Sequence, residues 1–177
     1  LVAMATLLHR LSRVLRHGWH SRALPSQLRG AALERLTQKV AQGEQLHSGQ
    51  VRLCLEGGLP PSYLWRGAPA RERAITLFGK LRIWDTEHNN GVLIYLLLAD
   101  RAVEIVADRG VARCVPPQQW EQVVASMAER LKSGDFEQAL NCAIDEVSAL
   151  LQQHFPAHAR LDDGPRNELP DVPVIRS

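Results

Sequence analysis

Five oxygen-bearing side chains and two arginines crowd into one short part of this sequence: Asp85, Glu87, Asn89, Asn90 and Asp108, with Arg101 and Arg109. Carboxylates and amide carbonyls are hard ligands, and calcium accepts six to eight of them. The five could therefore converge on Ca2+ or another divalent cation if the chain brings residues 85–90 up to residue 108. A guanidinium offers two parallel N–H donors to an oxyanion, so Arg101 and Arg109 are candidates for holding phosphate. A cation at the acidic group could then activate water for hydrolysis. Each feature also has a plainer reading. Asp and Asn ahead of a strand are ordinary turn formers that bond their own backbone, Asp108 and Arg109 can form a surface ion pair, and Arg101 can satisfy its turn. The spacing is not that of an EF-hand, and no Walker loop, GxGxxG, HExxH or GxSxG is present. The nearest histidine pairs, His17 with His20 and His154 with His158, have no carboxylate or thiol ligand beside them, which argues against zinc.

These groups are positioned by a hairpin. The apolar run from Gly91 to Leu98 is followed by Asp100 and Arg101, then by Val103 and Ile105 around Glu104, a strand, tight turn and strand. With Asp100 and Arg101 as a two-residue loop, 98 faces 103 and 93 faces 108. That register sets Asp108 beside the 85–90 loop and Asp100 at the opposite end. A first strand apolar on both faces belongs inside a sheet covered by helices on both sides, an α/β sandwich. Val51, Leu53 and Leu55 supply another strand by their alternation. Helical spacing predicts a helix through Leu28 to Val40, capped by Ser26 and stopped at Gly43. Others follow Pro69, follow Pro116 and Pro117 up to Gly134, and run from the cap Asp135 to Pro156.

The ends differ from the middle. Residues 1–25 read as a basic amphipathic helix and linker, with Leu7, Leu8, Leu11, Val14 and Leu15 on one face and Arg10, Arg13, Arg16 and His17 on the other. Such a helix either packs on its own domain or touches an anionic membrane through residues 7–17. Residues 157–177 form a Pro-rich acidic tail expected to be mobile, with Val172, Val174 and Ile175 able to extend a sheet edge. The four tryptophans, at 19, 65, 84 and 120, are expected to pack the rim of the core, with partner binding as the alternative.

Composition narrows the class. The 177 residues include 21 Lys plus Arg against 19 Asp plus Glu, a net charge of +2 that does not favour nucleic acid as a partner. Three widely spaced cysteines read as reduced thiols and fit the cytoplasm, and no apolar run reaches the ~18 residues of a membrane span. The N-terminus lacks the continuous apolar core of a secretory signal, so export is not expected.

Trp84 through Tyr95, which includes Asn89-Asn90-Gly91, continues into Ala99-Asp100-Arg101 and Val103 through Gly110. Downstream stand Trp120, Met127, the Ser133-Gly134-Asp135-Phe136 turn and a closing helix into Phe155-Pro156. In order and spacing this resembles the TPM domain family over about residues 28 to 156, and sets the domain at 26–156. The resemblance implies a three-layer α/β/α sandwich around a small mixed sheet, Rossmann-like in outline. The family includes a plant thylakoid-lumen acid phosphatase, a nematode receptor modulator and bacterial proteins of unknown role, some calcium-binding. Many relatives carry an acidic residue where Gln50 stands. What the resemblance implies for this chain is a bacterial-type binding or accessory module, at a membrane surface or in a protein complex, with a metal-assisted phosphatase as the alternative.

Overall fold

The computed structural model describes residues 11–19, 24–157 and 167–176. Strand β1 spans Gln50–Glu56, β2 Gly91–Leu97, β3 Ala102–Ala107 and β4 Val174–Arg176. Every residue of β2 is buried, and the strand order β3-β2-β1-β4 places it inside the sheet, as its two-sided apolar pattern requires. β1 runs parallel to β2 and to β4, whereas β3 returns antiparallel to β2. The carboxyl ends of β1, β2 and β4 therefore share one end of the sheet, and the Asp85–Asn90 loop and Asp108 stand at the other.

Residues 11–19 form helix α1; α2 is Ala31–Glu44, α3 Pro61–Trp65, α4 Ala70–Lys80, α5 Arg109–Cys114, α6 Pro117–Ser133 and α7 Phe136–His154. One face of the sheet, with Val51, Leu53, Ile94 and Leu96, packs against α2, α5, α6 and α7. The other face, with Cys54, Leu93, Tyr95 and Leu97, packs against α3 and α4 through Leu64, Ala74 and Leu77. The result is the expected α/β/α sandwich around a mixed sheet. Each fully buried Leu or Ile contributes roughly 1.5–3 kcal/mol relative to exposure, and β2 alone supplies Leu93, Ile94, Leu96 and Leu97. Gly91 is fixed by sterics, because a Cβ there would lie 2.1 Å from the Ile83 carbonyl oxygen.

Several local expectations change. The hairpin pairs Leu97 with Ala102 and Leu93 with Val106, two residues from the register expected, because Leu98 to Arg101 form a four-residue loop closed by Arg101 N–H on Leu98 O (3.1 Å) with Arg101 at φ +49°. A shift of two keeps each side chain on its face. Ser26 begins a 3-10 turn instead of capping α2; Gly30, at φ +50°, precedes that helix. Gly43 lies inside α2, where a Cβ would sit 2.6 Å from Ser148 Oγ, so it serves close helix packing and not termination. Helices α3 and α5 are too short to show a helical period. Gly134 in the left-handed region and Asp135, which accepts from Gln138 N–H, end α6 and start α7 as anticipated.

Residues 167–176, expected in a mobile tail, lie along β1 instead. Gln50 Oε1 accepts from Glu168 N–H (2.8 Å) and Leu169 N–H (3.0 Å), Arg52 donates to the carbonyls of Pro170 and Val172, and β4 completes the sheet edge. Apolar Val174 and Leu169 join the core on the α3/α4 side, which outweighs the ordering cost of a Pro-rich segment.

Candidate functional site

The seven residues singled out by chemistry separate. Asp85 is exposed and paired with Arg82 (2.6 Å), and Glu87 is exposed, its backbone N–H bonded to Glu168 Oε2 (2.9 Å). Asn89 takes φ +51°, and its carbonyl accepts from Gly110 N–H (2.9 Å). Asn90 is buried with Nδ2 on Ser48 O (2.9 Å), toward β1. Asp108 stands across β2 from it, on the β3 side, its N–H on Gly91 O and its Oδ1 capping α5 at Arg109 N–H (2.7 Å). Asn90 Oδ1 and Asp108 Oδ2 are buried with no hydrogen-bond partner, so these two have oxygens to spare. Asp85 and Glu87 are exposed, and among the described residues no three His, Cys, Asp or Glu side chains gather in a metal-holding group. The fit to a calcium cage of six or more oxygens is poor. The acidic position expected before β1 is Gln50, and its amide oxygen is engaged by the tail.

Arg101 and Arg109 do not face one ligand. They bracket β3, whose six residues set them roughly 20 Å apart at ~3.3 Å per residue. Arg101 donates to Lys132 O (2.5 Å) at the carboxyl end of α6, and Arg109 is exposed.

The opposite end of the sheet gathers more. β1 alternates so that Arg52, Cys54 and Glu56 share the α3/α4 face, which buries a carboxylate at the strand's last residue. Arg73, on the buried stripe of α4 with Ala74 and Leu77, meets Glu56 through Nε to Oε2 (2.9 Å) and Nη2 to Oε1 (2.6 Å), both side chains under 5% exposed. Tyr95 donates its hydroxyl to Glu56 Oε2 (2.6 Å). Burial and the Glu56 charge raise Tyr95 above its ordinary range, while the hydrogen bond to Glu56 keeps Arg73 charged. Arg176, at the end of β4, brings Nε within 3.5 Å of Glu56 Oε1 without a hydrogen bond.

Helix α1 closes over this end. Gly58 admits it: a Cβ there would lie 2.4 Å from the His17 carbonyl oxygen. His17 is buried, and its Nδ1 accepts from Leu59 N–H (2.9 Å), which leaves Nε2 to donate to Asp100 Oδ1 (2.9 Å). Arg13 (3.1 Å) and Arg16 (2.6 Å) bind the same carboxylate, and Arg13 also reaches Ala68 O. Burial alone would raise Asp100; the hydrogen bonds from His17 and Arg13, with the Arg13 charge, outweigh it and hold the group well below the usual carboxylate range. The basic face of α1 thus turns inward. Leu11, Leu15 and Trp19, spaced i, i+4, i+8, face solvent, Leu15 and Trp19 each 75% exposed. The part of the expected helix before residue 11, including Leu7, Leu8 and Arg10, lies outside the described residues.

Between α1 and the strand ends is a cavity of about 590 Å3, with Glu56, Arg73 and Arg176 at its polar side and Val14, Leu59 and Trp65 among its apolar walls. Trp65 is 87% exposed, so it and Trp19 correct the expectation that the tryptophans pack the rim. Sequence reasoning missed Glu56, Arg73 and Tyr95. The available signal was a charge in phase with a buried strand face and an arginine in phase with a helix's apolar stripe.

The model of the TPM domain matches residues 26–150. The BA42 protein of the psychrophilic bacterium Bizionia argentinensis is similar in structure, with TM-score 0.72, 24% identity, and coverage of 86% of this chain and 98% of that one. The N-terminal domain of a P. gingivalis protein is similar at TM-score 0.61 and 18% identity, covering 75% and 83%. No curated protein sequence matches. With its family model matched over most of its length and the fold shared by these structures, the chain belongs to the TPM domain family.

Proposed function

We propose that this chain is a binding module whose working surface is the carboxyl end of its parallel strands, where α1, the β1 end and β4 enclose a cavity. One observation carries the reading: the cavity joins a buried, mutually satisfied charge group to open apolar walls, Trp65 included. Concave sites of 300–1,000 Å3 with a few placed polar groups are the usual form of ligand sites. Open parallel sheets carry them outside the carboxyl ends of their strands. The outward stripe Leu11, Leu15 and Trp19 borders the same end and suits an apolar partner surface. Contact with an anionic membrane has less support, because Arg13, Arg16 and His17 are directed to Asp100. No helix among the described residues is long and apolar enough to cross a membrane.

Phosphatase action has less support still. Its nominated arginines stand at opposite ends of β3, and two of its three nominated carboxylates, Asp85 and Glu87, face solvent. A fragment screen by protein-observed NMR tests the binding reading: hits are expected to shift backbone amides in residues 56–65 and 174–176, and a screen without hits there rejects it. A phosphomonoester assay with Ca2+ or Mg2+ is expected to give background rates. Turnover lost in Asp108→Ala or Glu87→Ala would restore the enzyme reading.

A further inference from the structure

The geometry points to a monoanionic organic acid, a carboxylate on an apolar body, as the ligand class of the cavity beneath α1; this rests on the reading of that cavity as a binding site. Both oxygens of Glu56 are occupied, by Arg73 and by the Tyr95 hydroxyl. Glu56 is therefore neutralised by Arg73 and is not placed to receive a cationic ligand. Arg176 adds a second guanidinium to the same wall, about 40% exposed, with a buried Nε that has no hydrogen-bond partner. His17 contributes no charge in the tautomer its two hydrogen bonds select.

The charged lining sums to two arginines against one glutamate, one positive charge in excess. A carboxylate balances it and can take the parallel donors of a guanidinium. A phosphate, at close to two negative charges near neutral pH, would leave one facing Glu56 in a poorly solvated site. In the same cavity Leu59, Leu64, Val14 and the exposed Trp65 offer apolar surface for the body of the acid.

Calorimetric titration of the full chain with octanoate, octanol and octyl phosphate tests this, with amide shifts to locate binding. Octanoate is expected to bind at least tenfold more tightly than the other two and to shift residues 56–65 and 174–176. Arg176→Gln should bring octanoate down to the level of octanol while leaving octanol and the melting temperature unchanged, and Arg176→Lys should fall between. Octanol matching octanoate, octyl phosphate exceeding it, or Arg176→Gln having no effect would each overturn the carboxylate class while leaving a ligand-binding cavity. Shifts confined to other regions, or no binding by any of the three, would overturn both.

Discussion

The two ends of the sheet use the same residue types to opposite effect. At the amino end of β2, Asp85, Glu87, Asn89, Asn90 and Asp108 form turns: two point to solvent, one bonds through its backbone, and two are buried on opposite sides of β2. At the carboxyl end, Glu56, Arg73 and Tyr95 come from two strands and a helix separated by up to 39 residues, and they interlock while buried. Density of polar residues along the chain therefore says little about convergence in space. Turn chemistry needs polar residues close in sequence, whereas a buried charge needs a partner from another element to offset its desolvation.

The comparison is broken most severely by Glu56→Ala, which strands Arg73 in the core. Breaking a buried pair costs about 3–5 kcal/mol, against no more than about 0.5 kcal/mol for Glu87→Ala at the other end. Urea denaturation checks both, and equal small losses would remove the distinction drawn here. Next in size is Gly58→Ala, whose new methyl group must displace the carbonyl of His17. Release of α1 is expected to cost about 1–3 kcal/mol through the lost buried hydrogen bonds and to expose residues 11–19 to limited proteolysis.

Acid should act on the same latch. Asp100 is depressed in the folded state, so its stabilisation is complete above the ordinary carboxylate value near 4 and declines as pH falls toward the folded value. Docking of α1, followed by Trp19 fluorescence, is expected to hold at pH 6 and to weaken progressively below about pH 4; a transition centred near pH 6 would implicate another group. A smaller effect is expected at the cap of α5: Asp108→Ala should cost about 1 kcal/mol through the N-terminus of that helix. The thiols sharpen the contrast between inside and outside. Burial, with the Glu56 charge, pushes Cys54 up to about 12, whereas Cys114 is exposed. At pH 8 an aromatic disulfide reagent should modify Cys114 in the native protein and reach Cys54 only on unfolding.

Many short-range patterns were legible. The unbroken apolar run of β2 required an internal strand, Asp135 and Gly134 marked their helix ends, and alternation at Val51, Leu53 and Leu55 marked β1. The loop of the hairpin was less so, since Leu98 and Ala99 are apolar and read as strand although the chain turns there. The tail offered Val172, Val174 and Ile175 as an edge strand, but what attaches it, the Gln50 amide oxygen, lies 118 residues away from Glu168.

By itself the sequence determined the longer elements and their layering, because periodicity of apolar residues reflects which faces leave water. It determined the family through the same local order. Tertiary structure alone decided that Glu56 meets Arg73, that His17 and Asp100 dock α1 with its basic face inward, and that Asn90 and Asp108 are buried on opposite sides of β2 while Asp85 and Glu87 face solvent. Those outcomes depend on pairings between distant segments. A charge is stabilised or stranded by whatever the fold sets beside it in a low-dielectric interior, which its sequence neighbours do not specify.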